Sequence, residues 1–282
     1  MRDVPGRRVP VNGRAVYVEE SGHGQDWVVF EAGGGAGRTC WDLLLPLLAD
    51  KARLVAYDRA GRGLSGRSTR PLSIDDMADD LVAMTEAVVP DRFVLVAHSM
   101  GGLVARRAAG RLGSRLRGLV LADSPPESSP VFDAGASVKA ARRVERVLAV
   151  SQQLVRFRPL ARRFSRDMER AFPADTYQAM LAEDFNPAGV AQIRWEIREV
   201  RAAIARFRSQ PPPLPECPVL VLSVARVPEE RQRRHAVHRE HQRRYADSLP
   251  DGRYEVVDST HSIHVEQPQL LAARIQELLG AA

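Results

Sequence analysis

Phe93-Val94-Leu95-Val96-Ala97-His98-Ser99-Met100-Gly101-Gly102 is the stretch that decides the fold. Its first five residues form an unbroken apolar run, the pattern of a strand buried on both faces, and a helical pattern from Val104 to Arg111 follows at once. Ser99 therefore stands on a sharp strand-to-helix turn. Such a turn needs very small residues two positions away on each side, and Ala97 and Gly101 meet that demand. The turn presents the Ser99 hydroxyl at a helix N-terminus, where free amides and the helix dipole favour developing negative charge.

Outward from this turn, short apolar runs alternate with helical patterns, as in a parallel sheet built through crossover helices. Arg14 to Glu19, Trp27 to Phe30, Leu54 to Tyr57 and Leu116 to Ala122 read as further strands, and Trp41 to Leu48 and Ser73 to Val88 as helices. Ser73 with Asp76 three residues on forms a relative of the capping box. Strand signals stop at about Pro125, and amphipathic helical stretches such as Ala140 to Leu154 and Val190 to Phe207 take over. The proline-rich link Gln210 to Pro215 cannot be helical. Beyond it Pro218 to Leu222 and Tyr254 to Val257 resume the strand pattern, and Pro268 to Leu279 closes the chain as a helix. The organisation expected is a core of residues 1–124 and 216–282 with a helical insertion at 125–215.

The chain is long enough for one large α/β domain, and 44% hydrophobic with 27% charged residues is ordinary globular usage. Met1 to Arg8 is basic without an apolar run behind it, and no stretch reaches the ~18 apolar residues of a membrane span. The expectation is a soluble, cytoplasmic protein. Cys40 and Cys217 lack metal-ligand spacing and read as small buried residues. The net charge of +6 is almost wholly arginine, with lysine only at 51 and 139, and the arginines are mixed with acids. That reads as solvated helix faces and not as a nucleic-acid stripe.

A serine hydroxyl is a weak nucleophile until a base takes its proton. Among the seven histidines, His261 follows the last strand and precedes the last helix, and is preferred over His264. His235, His238 and His241 sit among arginines at helical spacing and read as surface residues, His23 lies in an early loop, and His98 points elsewhere on the serine turn.

With these residues in view, the chain resembles the α/β-hydrolase superfamily over nearly all its length except the insertion. The serine turn resembles the nucleophile elbow, with Ala97 for the usual glycine. Asp58-Arg59 through Gly61-Arg62-Gly63-Leu64-Ser65 resembles the family's Asp-Arg-x-Gly-x-Gly-x-Ser loop. The ending resembles its Gly-His-x-x-x-x-x-x-Pro block, with Thr260 for glycine. The resemblance implies an α/β-hydrolase fold, a mostly parallel central sheet flanked by helices, with the insertion as a cap. It also implies an oxyanion loop at Glu31-Ala32-Gly33-Gly34-Gly35, the donors being the amide of Gly33, or alternatively Gly34, and that of Met100. The usual aspartate after the penultimate strand is missing, since Ser223 to Glu230 contains none. Asp123, ending the strand before the insertion, is preferred as the acid, with Glu229 or Glu230 the alternatives.

The reaction implied is two-step acyl transfer on an ester-like bond in a small, apolar molecule, with lactonase, thioesterase and carbon–carbon hydrolase chemistry open. Neither metal nor organic cofactor is needed. The rival reading is a small-molecule binding protein on the same scaffold, its support being the missing aspartate.

Overall fold

A computed structural model describes residues 6–68, 70–133 and 135–280. Met1 to Pro5, most of the basic N-terminal stretch read above, lie outside the described residues. The strands are β1 (Gly6–Val11), β2 (Arg14–Ser21), β3 (Asp26–Glu31), β4 (Ala52–Asp58), β5 (Phe93–His98), β6 (Leu116–Ala122), β7 (Val219–Val224) and β8 (Gly252–Val257). The α-helices are α1 (Leu45–Leu48), α2 (Ile74–Val88), α3 (Met100–Leu112), α4 (Gly135–Leu154), α5 (Arg158–Phe164), α6 (Arg166–Ala171), α7 (Ala174–Glu183), α8 (Pro187–Ser209), α9 (Gln232–Asp247), α10 (Ile263–Glu266) and α11 (Pro268–Gly280).

The strands form one sheet in the order β1-β2-β4-β3-β5-β6-β7-β8, in which only β2 runs against its neighbours. This is the α/β-hydrolase fold. The central strands β5 and β7 are buried at every residue and β6 at every residue but Arg117, which explains their largely apolar sequence. One hydrophobic cluster packs α2 and α3 on one sheet face, and a second packs α1 and α11 on the other. Ser73 caps α2 in a full capping box with Asp76.

Two stretches differ from the sequence reading. Trp41 to Leu48 is not one helix but a 3₁₀ turn at Arg38–Trp41 and a single helical turn at Leu45–Leu48, because Pro46 is tolerated only in a helix's first turn. β1 carries no strong apolar signal, alternating Val9 and Val11 with exposed arginines and a proline. The cue for it is Asn12-Gly13, whose positive φ angles of 47° and 75° make the two-residue hairpin turn to β2.

Between β6 and β7 the chain is helical, α4 packing along α8. Pro187 starts α8 where its missing N–H costs nothing, and the Asn186 side chain accepts from the amides of Ala188 and Gly189. Among the described residues no helix is long and apolar enough to cross a membrane.

At Gly101, in the first turn of α3, a Cβ would lie 2.6 Å from the Ala32 carbonyl oxygen and 2.7 Å from that of Glu31. These are backbone atoms that cannot swing aside. Gly101→Ala is expected to lower unfolding free energy by about 1–3 kcal/mol, read as a lower urea midpoint at unchanged slope.

Candidate active site

The turn from β5 into α3 holds Ser99 at φ 52° and ψ −121°, a region that side-chain-bearing residues rarely adopt. It is locked there by its amide, which donates to the Ala122 carbonyl at 2.9 Å, and by its carbonyl, which accepts from Gly102 at 3.0 Å. Asp123, one residue past β6, also has a positive φ, 46°, and its amide donates to the Leu222 carbonyl at 2.8 Å. His261 stands in the loop between β8 and α10. Three neighbouring segments thus deliver serine, histidine and aspartate to one end of the sheet.

There they meet in a line. His261 Nδ1 lies 2.6 Å from Asp123 Oδ2 and His261 Nε2 lies 2.9 Å from Ser99 Oγ. With Asp123 ionised, Nδ1–H donates to the carboxylate and Nε2 is left to accept from the serine hydroxyl. Burial alone would push the Asp123 carboxyl up, but the hydrogen bond and charge of His261, with a hydrogen bond from Gln242, hold it below its ordinary value. Gln242 of α9 donates to Asp123 Oδ1 at 3.1 Å and to the Ser124 carbonyl at 2.9 Å, and its own oxygen accepts from buried Ser223. Glu229 and Glu230 sit in an exposed 3₁₀ turn, with no bond to His261 among the described residues.

His98 is buried beneath this line, and its Nε2–H donates to the His261 carbonyl at 2.8 Å, fixing the loop that carries His261. His264 packs between His98 and Trp41, at ring separations of 4.5 and 5.0 Å, and its Nδ1 is buried without a partner among the described residues. His235, His238 and His241 are not the free surface residues expected. They are half-buried along one face of α9, bonding the Val224 carbonyl, Ser129 and Ser128, because β7 and the segment after β6 pack against that face.

The glycine loop after β3 runs against the serine turn. A Cβ at Gly33 would lie 2.6 Å from His98 Nδ1 and 3.4 Å from Ser99 Cβ, and one at Gly34 would lie 3.4 Å from Met100 Sδ. Two buried arginines set the loop's orientation. Arg59 donates to the carbonyls of Ala32 and Gly33 at 2.6 and 2.7 Å, and Arg62 donates to that of Gly35. The Gly35 amide donates to Glu196 of α8 at 2.6 Å. The amides of Gly33 and Gly34 carry no hydrogen bond among the described residues. Glu31, standing where the resemblance puts histidine, is fully buried and accepts from Arg59 at 2.7 Å and from Tyr57. Burial pushes its carboxyl up, and Arg59 opposes that shift. Sequence reasoning assigns no role to Arg59, Arg62, Glu196 or Gln242, since their roles depend on contacts across the chain. Only Arg59 and Arg62, inside the Asp-Arg-x-Gly motif, offered a local signal. No group of three or more His, Cys, Asp or Glu among the described residues is arranged to hold a metal ion.

The model of the alpha/beta hydrolase family matches residues 28–274. Among curated proteins, the chain is 31% identical over 106 residues to the protein assigned as carbamate hydrolase RutD of Azorhizobium caulinodans, covering 38% of this chain and 40% of that one. It is 32% identical over 106 residues to the 2-heptyl-3-hydroxy-4(1H)-quinolone dioxygenase of Mycobacteroides abscessus, covering 37% and 39%. The matches therefore span about two fifths of these relatives' length. Among solved structures, ALR0039 from Nostoc sp. PCC 7120, assigned as an alpha/beta hydrolase, aligns at a TM-score of 0.79 with 20% identity over 99% of both chains, a likeness of fold.

His98 and His264 tie the site to pH. Burial, first, and neighbouring histidines hold both rings neutral in the fold, His264 down to about 3 from an ordinary 6.5. The unfolded chain takes up these protons as pH falls below about 6.5, so it binds more protons than the fold and stability falls with pH across that window. His264→Phe is expected to flatten the urea-midpoint profile between pH 6.5 and 4 by close to one proton. An unchanged slope would show that His264 is already charged in the fold.

Proposed function

Because the chain belongs to the alpha/beta hydrolase family, we propose that it is a serine hydrolase of a small, apolar, ester-like substrate, with Ser99 as nucleophile, His261 as general base and Asp123 as the acid that orients it. The observation that carries the reading is the unbroken relay from Asp123 Oδ2 through His261 to Ser99 Oγ, at 2.6 and 2.9 Å.

In this reading His261 Nε2 takes the hydroxyl proton as Ser99 Oγ attacks the carbonyl carbon. The imidazolium formed faces the Asp123 carboxylate, which stabilises it without taking its proton. The oxyanion is held by the amides of Met100 and of Gly33 or Gly34. Arg59 supports this by fixing the carbonyls of Ala32 and Gly33, which commits the amides of Gly33 and Gly34 to the opposite side of their peptide planes. His261 then returns its proton to the departing alcohol, and a water deprotonated by the same nitrogen cleaves the acyl-enzyme. No step needs a metal or an organic cofactor.

Residues 125–215 are read as a cap on the core of 1–124 and 216–282. Support comes from α8, whose Glu196 accepts from the Gly35 amide and whose Ile193 side chain would lie 3.3 Å from a Cβ at Gly35. A second reading is favoured by the named quinolone dioxygenase: a base at His261 could equally deprotonate an acidic ring hydroxyl ahead of oxygen-dependent cleavage. The binding-protein reading loses its motive, since Asp123 lies within hydrogen-bond distance of His261.

Incubation with a fluorophosphonate is expected to add one adduct by intact mass, absent in Ser99→Ala. Asp123→Asn should lower kcat/KM on a chromogenic ester by about three to four orders of magnitude, whereas Glu229→Gln and Glu230→Gln should leave it nearly unchanged. Oxygen consumption without an adduct would replace hydrolysis by the second reading.

Glu196 is a positioning residue in this scheme. Glu196→Ala should lower kcat about tenfold with KM little moved, less than loss of a direct oxyanion donor, and Glu196→Gln, which still accepts from Gly35, should restore most of it.

A further inference from the structure

The positive charge of this protein is not spread over its surface. Residues 135–171 carry ten lysines and arginines against three acids, while the rest of the chain holds one acid more than it has bases. The segment that holds α4, α5 and α6 therefore carries more net positive charge than the whole chain. One of the three acids, Glu145, is turned toward α8, where Arg198 and Arg194 bind it. The basic side chains of this segment are exposed wherever their burial is described, and none makes an ion pair among the described residues.

The same segment holds an apolar surface. Nine large hydrophobic side chains are exposed among the described residues, and five of them, Val144, Val147, Val150, Phe157 and Phe164, fall between 144 and 164, each between 46% and 64% exposed. The other four are scattered, as single exposed apolar residues commonly are. On α4, helical geometry brings Lys139, Arg143, Arg146, Val147 and Val150 within about 100° of arc. Val147 and Val150 thus lie among cations on the outward face. On the far side of α4, Leu148 packs into a small cluster with Tyr177 and Val190, and Ser151, at the edge between the two faces, is buried.

A helix face that mixes exposed valines with unpaired cations, continued by two exposed phenylalanines, has the chemistry of a surface seated at a lipid headgroup boundary. Cations meet anionic headgroups, and the apolar side chains enter the acyl edge below them. Nucleic acid would satisfy the arginines and leave the valines and phenylalanines facing a polar backbone. We propose that the outward face of α4 and α5 docks the protein on anionic lipid bilayers, peripherally and reversibly. The docking is independent of the reaction proposed above.

The test is co-sedimentation of the full chain with vesicles of phosphatidylcholine alone and of seven parts phosphatidylcholine to three parts phosphatidylglycerol. Binding is expected only to the anionic vesicles and should weaken with added salt. Arg143→Gln with Arg146→Gln should weaken it by about thirtyfold. Val150→Asp with Phe157→Asp should weaken it at least about tenfold, and Val150→Ser with Phe157→Ser, which changes no charge, should weaken it in the same direction. Matching thermal melts for the variants would show that the fold is intact, as expected for exposed positions. Failure to sediment with anionic vesicles at low salt would overturn the proposal. So would binding that ignores both apolar pairs, or full displacement from vesicles by duplex DNA, because either makes the surface a plain polycation. A concentration-dependent dimer in sedimentation velocity that the apolar variants abolish would assign the face to a second copy of the chain instead.

Discussion

Everything at the site depends on holding one serine in a backbone conformation it resists. Ser99 sits at φ 52°, a region whose occupation by a residue with a Cβ costs of order 1–3 kcal/mol and lasts only where surrounding structure over-determines it. Here the over-determination is visible. A fully buried strand enters the turn, a thirteen-residue helix leaves it, and the Ser99 amide is bonded across to β6. Glycine at 101 lets the chain after β3 approach to within van der Waals contact. The strain is returned as position, because the hydroxyl is lifted out of the sheet toward His261.

The same close approach creates a second constraint. The loop that must lie against the serine turn is glycine-rich and has few side chains of its own to fix it, so it is fixed from outside by buried charge. Arg59 and Arg62 reach it from the end of β4, and Glu196 reaches it from α8. Arg59 is itself neutralised by Glu31 and Glu196, the latter at 3.3 Å. A buried cation of this kind is tolerable only because its donors are shared among carbonyls and carboxylates. The arrangement makes α8 part of the site's foundation, so a change in the helical insertion would be felt by the amides beside Ser99 without touching the serine.

The parts of this architecture legible in the sequence are those written within one segment. β5, Ser99 and α3 are adjacent in the chain, and His261 is marked by standing between the last strand and the last helix. Seven of the eight strands announce themselves by apolar runs, whereas β1, half-exposed and carrying Pro10, has only the Asn12-Gly13 turn to give it away. What is not legible is pairing at a distance. Glu196 and Gly35 are 161 positions apart and Gln242 and Asp123 are 119 apart, and no periodicity connects them. The same holds for Glu31, which lies at the buried end of a central strand as the partner of Arg59, 28 positions away.

The placement of the aspartate shows how such a site tolerates rearrangement. β6 and β7 are adjacent parallel strands, so their ends lie about 5 Å apart. A carboxylate leaving either end can reach the same imidazole if its backbone turns the right way. From β6 that turn demands a positive φ, and Asp123 has one at 46°, a conformation aspartate accepts more readily than most residues. It also leaves the second carboxylate oxygen facing α9 instead of solvent, where Gln242 meets it while its other end is held by Ser223 of β7. With the Asp123 carboxylate reaching His261 from the end of β6, β7 contributes through Ser223 an anchor for the amide that holds that carboxylate.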